Sequence, residues 1–146
     1  MRVMIGLIIG GLLLHCNGSA CADFDEGLAA YDRGDYSAAI KEFRILAEQG
    51  EADAQDMLGA MYASGRGVPR NYLEAVKWGK LAAEQGHGEA QLSLAMLYAF
   101  GMGVEEVDAV DAYKWALISA GNGVASAENF QKYIEQAMSQ LEIEEA

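Results

Sequence analysis

A chain of 146 residues is long enough for one compact domain or a short repeat array, and 52% apolar with 22% charged residues is the composition of a folded protein, not a disordered one. The formal net charge of −12 argues against nucleic acid and anionic membrane surfaces as partners, since both call for a basic face. The acidity keeps the chain soluble, and any charged partner is expected to be basic.

Residues 1–22 are expected to be a signal peptide. Arg2 supplies the positive start, Val3 to Leu14 are apolar, and Ala20-Cys21-Ala22 matches the small-residue rule for cleavage after Ala22. Twelve apolar residues are too few for a spanning helix, which needs about 20. Leu13, three before Cys16, suggests lipid attachment at Cys16, but His15 stands where that motif expects a small residue. Both cysteines lie in this leader, so the mature chain is expected to have no disulfide, thiol nucleophile or cysteine metal site. Removing Arg2 from the ten basic residues leaves nine against 22 acidic ones, a net charge of −13. The leader implies export, and a cysteine-free exported chain fits the periplasm better than a disulfide-forming extracellular setting.

Beyond the leader, one proline, many alanines and leucines, and no period-two runs of Val, Ile or Thr predict helices without strands. An internal repeat then organises the chain. Residues 23–51 form a short first unit whose second half, AAIKEFRILAEQG, recurs 36 residues later as EAVKWGKLAAEQG. Residues 52–87 contain AQDMLGAMYASGRGV at 54–68, and residues 88–124 repeat this as AQLSLAMLYAFGMGV at 90–104, a spacing of 36. Trp78 and Trp115 are 37 apart, so one extra residue lies in the connection after Val104.

Each unit is predicted to hold two amphipathic helices. Ala54, Leu58, Met61 and Tyr62 share one face of the first, and Ala75, Trp78, Leu81 and Ala82 one face of the second. Gly59, Ala75 and Ala83 let the pair approach, with Tyr62 and Trp78 filling the volume between. Gly65 and Gly67 stop the first helix, and Gly50, Gly86 and Gly123 the second helices; Pro69 marks the turn. Residues 125–146 are predicted to form a C-terminal capping helix. Phe130, Tyr133, Ile134, Ala137, Met138 and Leu141 would close the core, and Glu128, Gln131, Glu135 and Glu142 would face solvent. One hairpin cannot bury its own apolar face; three in line can.

The pattern A-x-x-x-L-G-x-x-Y-x-x-G-x-G-V followed by A-x-x-W-x-x-x-A-A-x-x-G resembles the Sel1-like repeat family. Residues Ala54–Gly86 match almost throughout, and Ala90–Gly123 match with Ala95 and Ser119 as departures. Residues 27–50 resemble a tetratricopeptide repeat. The resemblance implies an all-α fold, a right-handed α/α superhelical solenoid of helical hairpins. It also implies a non-catalytic adaptor role, which for exported bacterial members means envelope signalling, assembly or host contact. Some cysteine-rich relatives are linked to β-lactam hydrolysis, but this chain lacks their paired cysteines and any serine-lysine motif.

The residues themselves point the same way. His87 is the sole histidine of the mature chain and sits between two glycines, where an exposed loop histidine is expected. It cannot form an H-x-x-x-H zinc pair, and there is no G-x-S-x-G elbow or P-loop. Asp53 and Asp56 are explained by a helix N-terminus. No cofactor is implied. The expected site is a concave groove lined by first helices, with Asp53, Asp56 and Ala60 from one unit and Glu89, Leu92, Met96 and Phe100 from the next. Leu92, Met96 and Phe100 either form an exposed apolar patch or pack against a neighbouring helix or the cap. The partner is a protein or peptide.

Overall fold

The computed structural model describes residues 23–138, and all regular structure among them is helical. The leader with Cys16 and Cys21, and Leu141 and Glu142 of the capping segment, lie outside the described residues. Seven helices follow one another: α1 (Phe24–Asp32), α2 (Tyr36–Glu48), α3 (Ala52–Ser64), α4 (Tyr72–Glu84), α5 (Gly88–Ala99), α6 (Ala109–Gly121) and α7 (Ala125–Ala137). Each packs chiefly on its neighbours in sequence. That is the contact pattern of an all-α solenoid.

The second helix of each unit starts on a side-chain cap. Asp35 accepts from the Ala38 amide (3.1 Å), Asn71 from Leu73 and Glu74 (3.1 and 3.2 Å), and Asp108 from Asp111 (2.8 Å). Such caps satisfy amides that the helix itself leaves unpaired.

The two glycines of the G-x-G turn do different things. Gly65 ends α3 in the left-handed conformation, φ 74° and ψ 30°. Gly67 is also left-handed, but it presses on the preceding unit: a Cβ there would lie 2.5 Å from the Tyr36 carbonyl oxygen. Gly103 presses on the Tyr72 carbonyl in the same way one repeat later. Only a residue without a side chain permits this approach. Arg66, between the glycines, lies 5.5 Å from the ring centres of both Tyr31 and Tyr36 and donates to the Tyr31 hydroxyl.

Two buried glutamines join the units. Gln55 Nε2 donates to the Ala47 carbonyl at the end of α2 (3.1 Å) and its Oε1 accepts from Gln85 (2.7 Å). Gln91 donates to Ala83 (3.0 Å) and accepts from Asn122 (2.8 Å). Each adds a second donor to a carbonyl at a helix C-terminus that the amide of Gly50 or Gly86 also reaches.

The apolar core runs the length of the array. Phe43, Leu58 and Met61 anchor its first part, Ala82, Ala83, Ala90 and Leu94 its middle, and Ala112, Ala116, Ile134 and Met138 its end. Tyr62 and Trp78 pack against the first part. A Cβ on Gly59 would sit 3.3 Å from Ala75 O and Gly79 N, so α3 and α4 are in close contact there. Three expected core residues are outside, one of them Ala137 in the last turn of α7. Leu81 is 40% exposed, because α4 buries the small residues Ala75, Gly79, Ala82 and Ala83 against its neighbours and turns Leu81 outward. Tyr133 is 58% exposed and stacks on Phe130 at 6.0 Å instead of entering the core.

Candidate functional site

A groove of about 380 Å³ opens at the junction of the two middle units. Asp56, Gly59, Ala60, Ala63 and Ser64 of α3 form one wall, and Ser93, Met96 and Leu97 of α5 the other. Tyr72, Ala75 and Gly79 of α4 form the floor, and Met102 closes one end. Small side chains on α3 and α4 create the depth. Met96, Leu97 and Met102 supply adaptable apolar surface.

The expected site residues divide. Asp56, Ala60 and Met96 line the groove together. Asp53, one turn before Asp56, and Glu89, in the first turn of α5, lie beside its acidic end, and their charges act on Asp56. Leu92 does not belong to it. It is 5% exposed, because α5 lies between α4 and α6 and buries Leu92, Leu94 and Leu97. Phe100 is 53% exposed, but it follows the end of α5 and faces a separate hollow with Val107, Tyr133 and Met138. The floor residues Tyr72 and Gly79 come from a second helix, which the first-helix expectation left out.

His87 is not the exposed loop residue that its flanking glycines suggest. It is the N-cap of α5: Nδ1 accepts from the Ala90 amide at 3.1 Å. The proton therefore sits on Nε2, which meets Asp53 Oδ1 at 3.1 Å. Asp56 Oδ2 is 4.0 Å from Nδ1, too far for a hydrogen bond. His87 thus ties the start of one unit to the start of the one before. A histidine with both nitrogens engaged this way is a structural joint. The signal in the sequence is its place one residue before the repeat's Gly88, where Ser, Asp or Asn is the usual cap.

Burial holds the Asp56 carboxyl above its ordinary pKa. His87 acts in the opposite sense, and the charges of Glu89 and Asp53 raise it further. The groove end is therefore a desolvated carboxyl among carboxylates. Helices α1, α3 and α5 carry Asp25, Glu26, Asp32, Asp53, Asp56 and Glu89 and no lysine or arginine, whereas Lys41, Arg44, Lys77, Lys80 and Lys114 all lie on α2, α4 and α6.

Among the described residues, no group of three or more His, Cys, Asp or Glu side chains is arranged to hold a metal ion, and no helix is long and apolar enough to cross a membrane. Among curated proteins none matches this chain. Among solved structures the chain is similar to a protective antigen present in uropathogenic Escherichia coli strains that displays an SLR fold. The two are 28% identical with a TM-score of 0.78, over 82% of this chain and 26% of that one. It is also similar to a Sel1 repeat protein from Oxalobacter formigenes, with 31% identity and a TM-score of 0.72, over 77% of this chain and 46% of that one. The chain thus spans about a quarter and under half the length of these two proteins. The model of the Sel1 repeat matches residues 52–87 and 88–124. With two consecutive units matching that model and all seven described helices stacked as neighbouring hairpins, the chain belongs to the Sel1 repeat family.

Proposed function

We propose that this chain is a non-catalytic interaction scaffold of the bacterial envelope, exported by its leader, that takes a segment of a partner protein in the groove between α3 and α5. The Sel1 repeat fold generally mediates protein–protein interaction. The observation that carries the reading is the groove itself: an apolar, small-residue hollow at a repeat junction, with its depth set by α4 and its acidic end by Asp56. The mature chain's one histidine is engaged as a cap, so the groove end holds carboxylates without an adjacent free base. The regulatory or assembly pathway served follows from the partner's identity.

Two measurements test this. Met96→Glu places a charge on the groove wall without touching the core. It is expected to keep the wild-type circular dichroism and to release the partner captured from a native envelope extract. Retention of every partner by the folded variant sinks the groove reading. Fractionation of cells expressing the full chain is expected to find it shortened, in the periplasm; labelling of Cys16 by a fatty acid would instead place it on the membrane.

A further inference from the structure

Gly79 lies in the interior of α4, where glycine weakens a helix relative to alanine. Two ordinary reasons for a buried helical glycine fail here. Its φ is not positive, and a Cβ built on it would meet nothing within 4 Å. Gly59 opposite is different, since a Cβ there would press on the α4 backbone. The equivalent positions of the flanking units, Phe43 and Ala116, carry side chains, both fully buried. What the missing Cβ of Gly79 leaves is open space on the floor of the groove.

The groove runs along α3 from Asp56 to Ser64, roughly 12 Å at 1.5 Å per residue. Its acidic end is Asp56, with Asp53 and Glu89 beside it. No lysine or arginine on the three first helices offsets these charges. An anionic occupant is repelled. A purely apolar one leaves the Asp56 carboxyl desolvated with only His87 near it, 4.0 Å away and already engaged by Asp53 and the Ala90 amide. A basic side chain answers both features, because lysine and arginine have a long apolar stem and a charged head.

We propose, on the reading that this groove is the partner site, that its occupant is a lysine or arginine of the partner next to an aliphatic residue. The stem lies over Gly79 against Ala60 and Met96, the cationic head meets Asp56, and the aliphatic neighbour reaches toward Met102. Gly79 is then a specificity-determining residue: it holds the floor open for the stem, at the expense of helix stability.

A displayed random peptide library panned on the purified full chain tests this, with Asp56→Asn, Gly79→Ala, Gly79→Leu and Met96→Glu in parallel. The wild type is expected to enrich peptides with Lys or Arg beside an aliphatic residue. Asp56→Asn and Gly79→Leu are expected to weaken the selected peptides at least tenfold. Gly79→Ala is expected to raise the melting temperature by about 2–5 °C while weakening the same peptides. Enrichment of acidic or uncharged peptides that still require Gly79 overturns the basic anchor and leaves the groove reading standing. A lower melting temperature in Gly79→Ala shows the glycine to be a packing residue and overturns its assigned role. Peptides that bind Met96→Glu and Gly79→Leu as well as wild type, or no enrichment at all, overturn the groove reading along with the anchor.

Discussion

At the scale of the residue, the groove region mixes groups that hold the fold with groups that weaken it. His87 holds. Its Nδ1 closes the first turn of α5 and its Nε2 reaches Asp53 in the preceding unit. His87→Ala is expected to lower stability by about 1 kcal/mol, the usual worth of a side-chain cap, as read by urea denaturation. Asp56 weakens. Its folded-state pKa is raised above the unfolded value, so the folded state binds its proton more tightly. The associated stability is fully present below the unfolded pKa and is lost as pH rises through the folded pKa. At pH 7 the ionised carboxyl is therefore a burden, and Asp56→Asn is expected to be more stable than wild type there. Its advantage should shrink as pH falls toward the ordinary carboxylate range. Denaturation curves at several pH values check the sign; an advantage that grows on acidification contradicts it.

At the scale of the element, the helices are joined by devices that recur once per repeat. Gly67 and Gly103 each bring a turn against a carbonyl of the preceding unit. Gly103→Ala is expected to cost more than about 2 kcal/mol, because it combines a strained left-handed φ with a backbone collision. An alanine at Gly79, in the same protein, is expected to do the opposite. The pair separates glycines needed by the backbone from one needed by the groove. The glutamines act likewise: Gln91→Ala removes one donor to the Ala83 carbonyl, which keeps the Gly86 amide, and removes the acceptor of Asn122; it is expected to cost about 1 kcal/mol. Its exposed neighbour Ser93→Ala is expected to stay within about 0.5 kcal/mol of wild type.

At the scale of the whole molecule, stability is a sum over units and the contacts between neighbours. Helices α3, α4 and α5 have packed neighbours on both sides, whereas α1 packs chiefly on α2 and α7 chiefly on α6, at the two ends of the described array. Backbone hydrogen exchange is expected to be slowest in α3–α5 and fastest in α1 and α7. Uniform protection along the chain would mean that the array opens only as one unit. The groove lies in the slow part, so its walls are held by the most stable helices, as a preformed site requires. Charge is also distributed at this scale: first helices carry acids only, and the helical cations outside α7 sit on second helices. On the proposed function, this charge pattern favours a basic segment at the groove.

The sequence alone determined the repeat, its period and the helical hairpins, because these rest on patterns that recur at a fixed spacing: the G-x-G turn, Tyr62 and Tyr98, Trp78 and Trp115. It also picked Asp56, Ala60 and Met96, since positions off the apolar stripe of a first helix point away from the core. Tertiary structure decided the rest. Helix α5 is apolar on most sides, so periodicity could not say that Leu92 is buried while Met96 faces the groove; its packing between α4 and α6 did. The role of His87 depends on Asp53, 34 residues earlier in the chain, coming within hydrogen-bonding distance across a repeat junction. Gly79 looks in sequence like any small residue that lets helices approach. Only the open space where its Cβ would lie distinguishes a glycine that packs from a glycine that makes room.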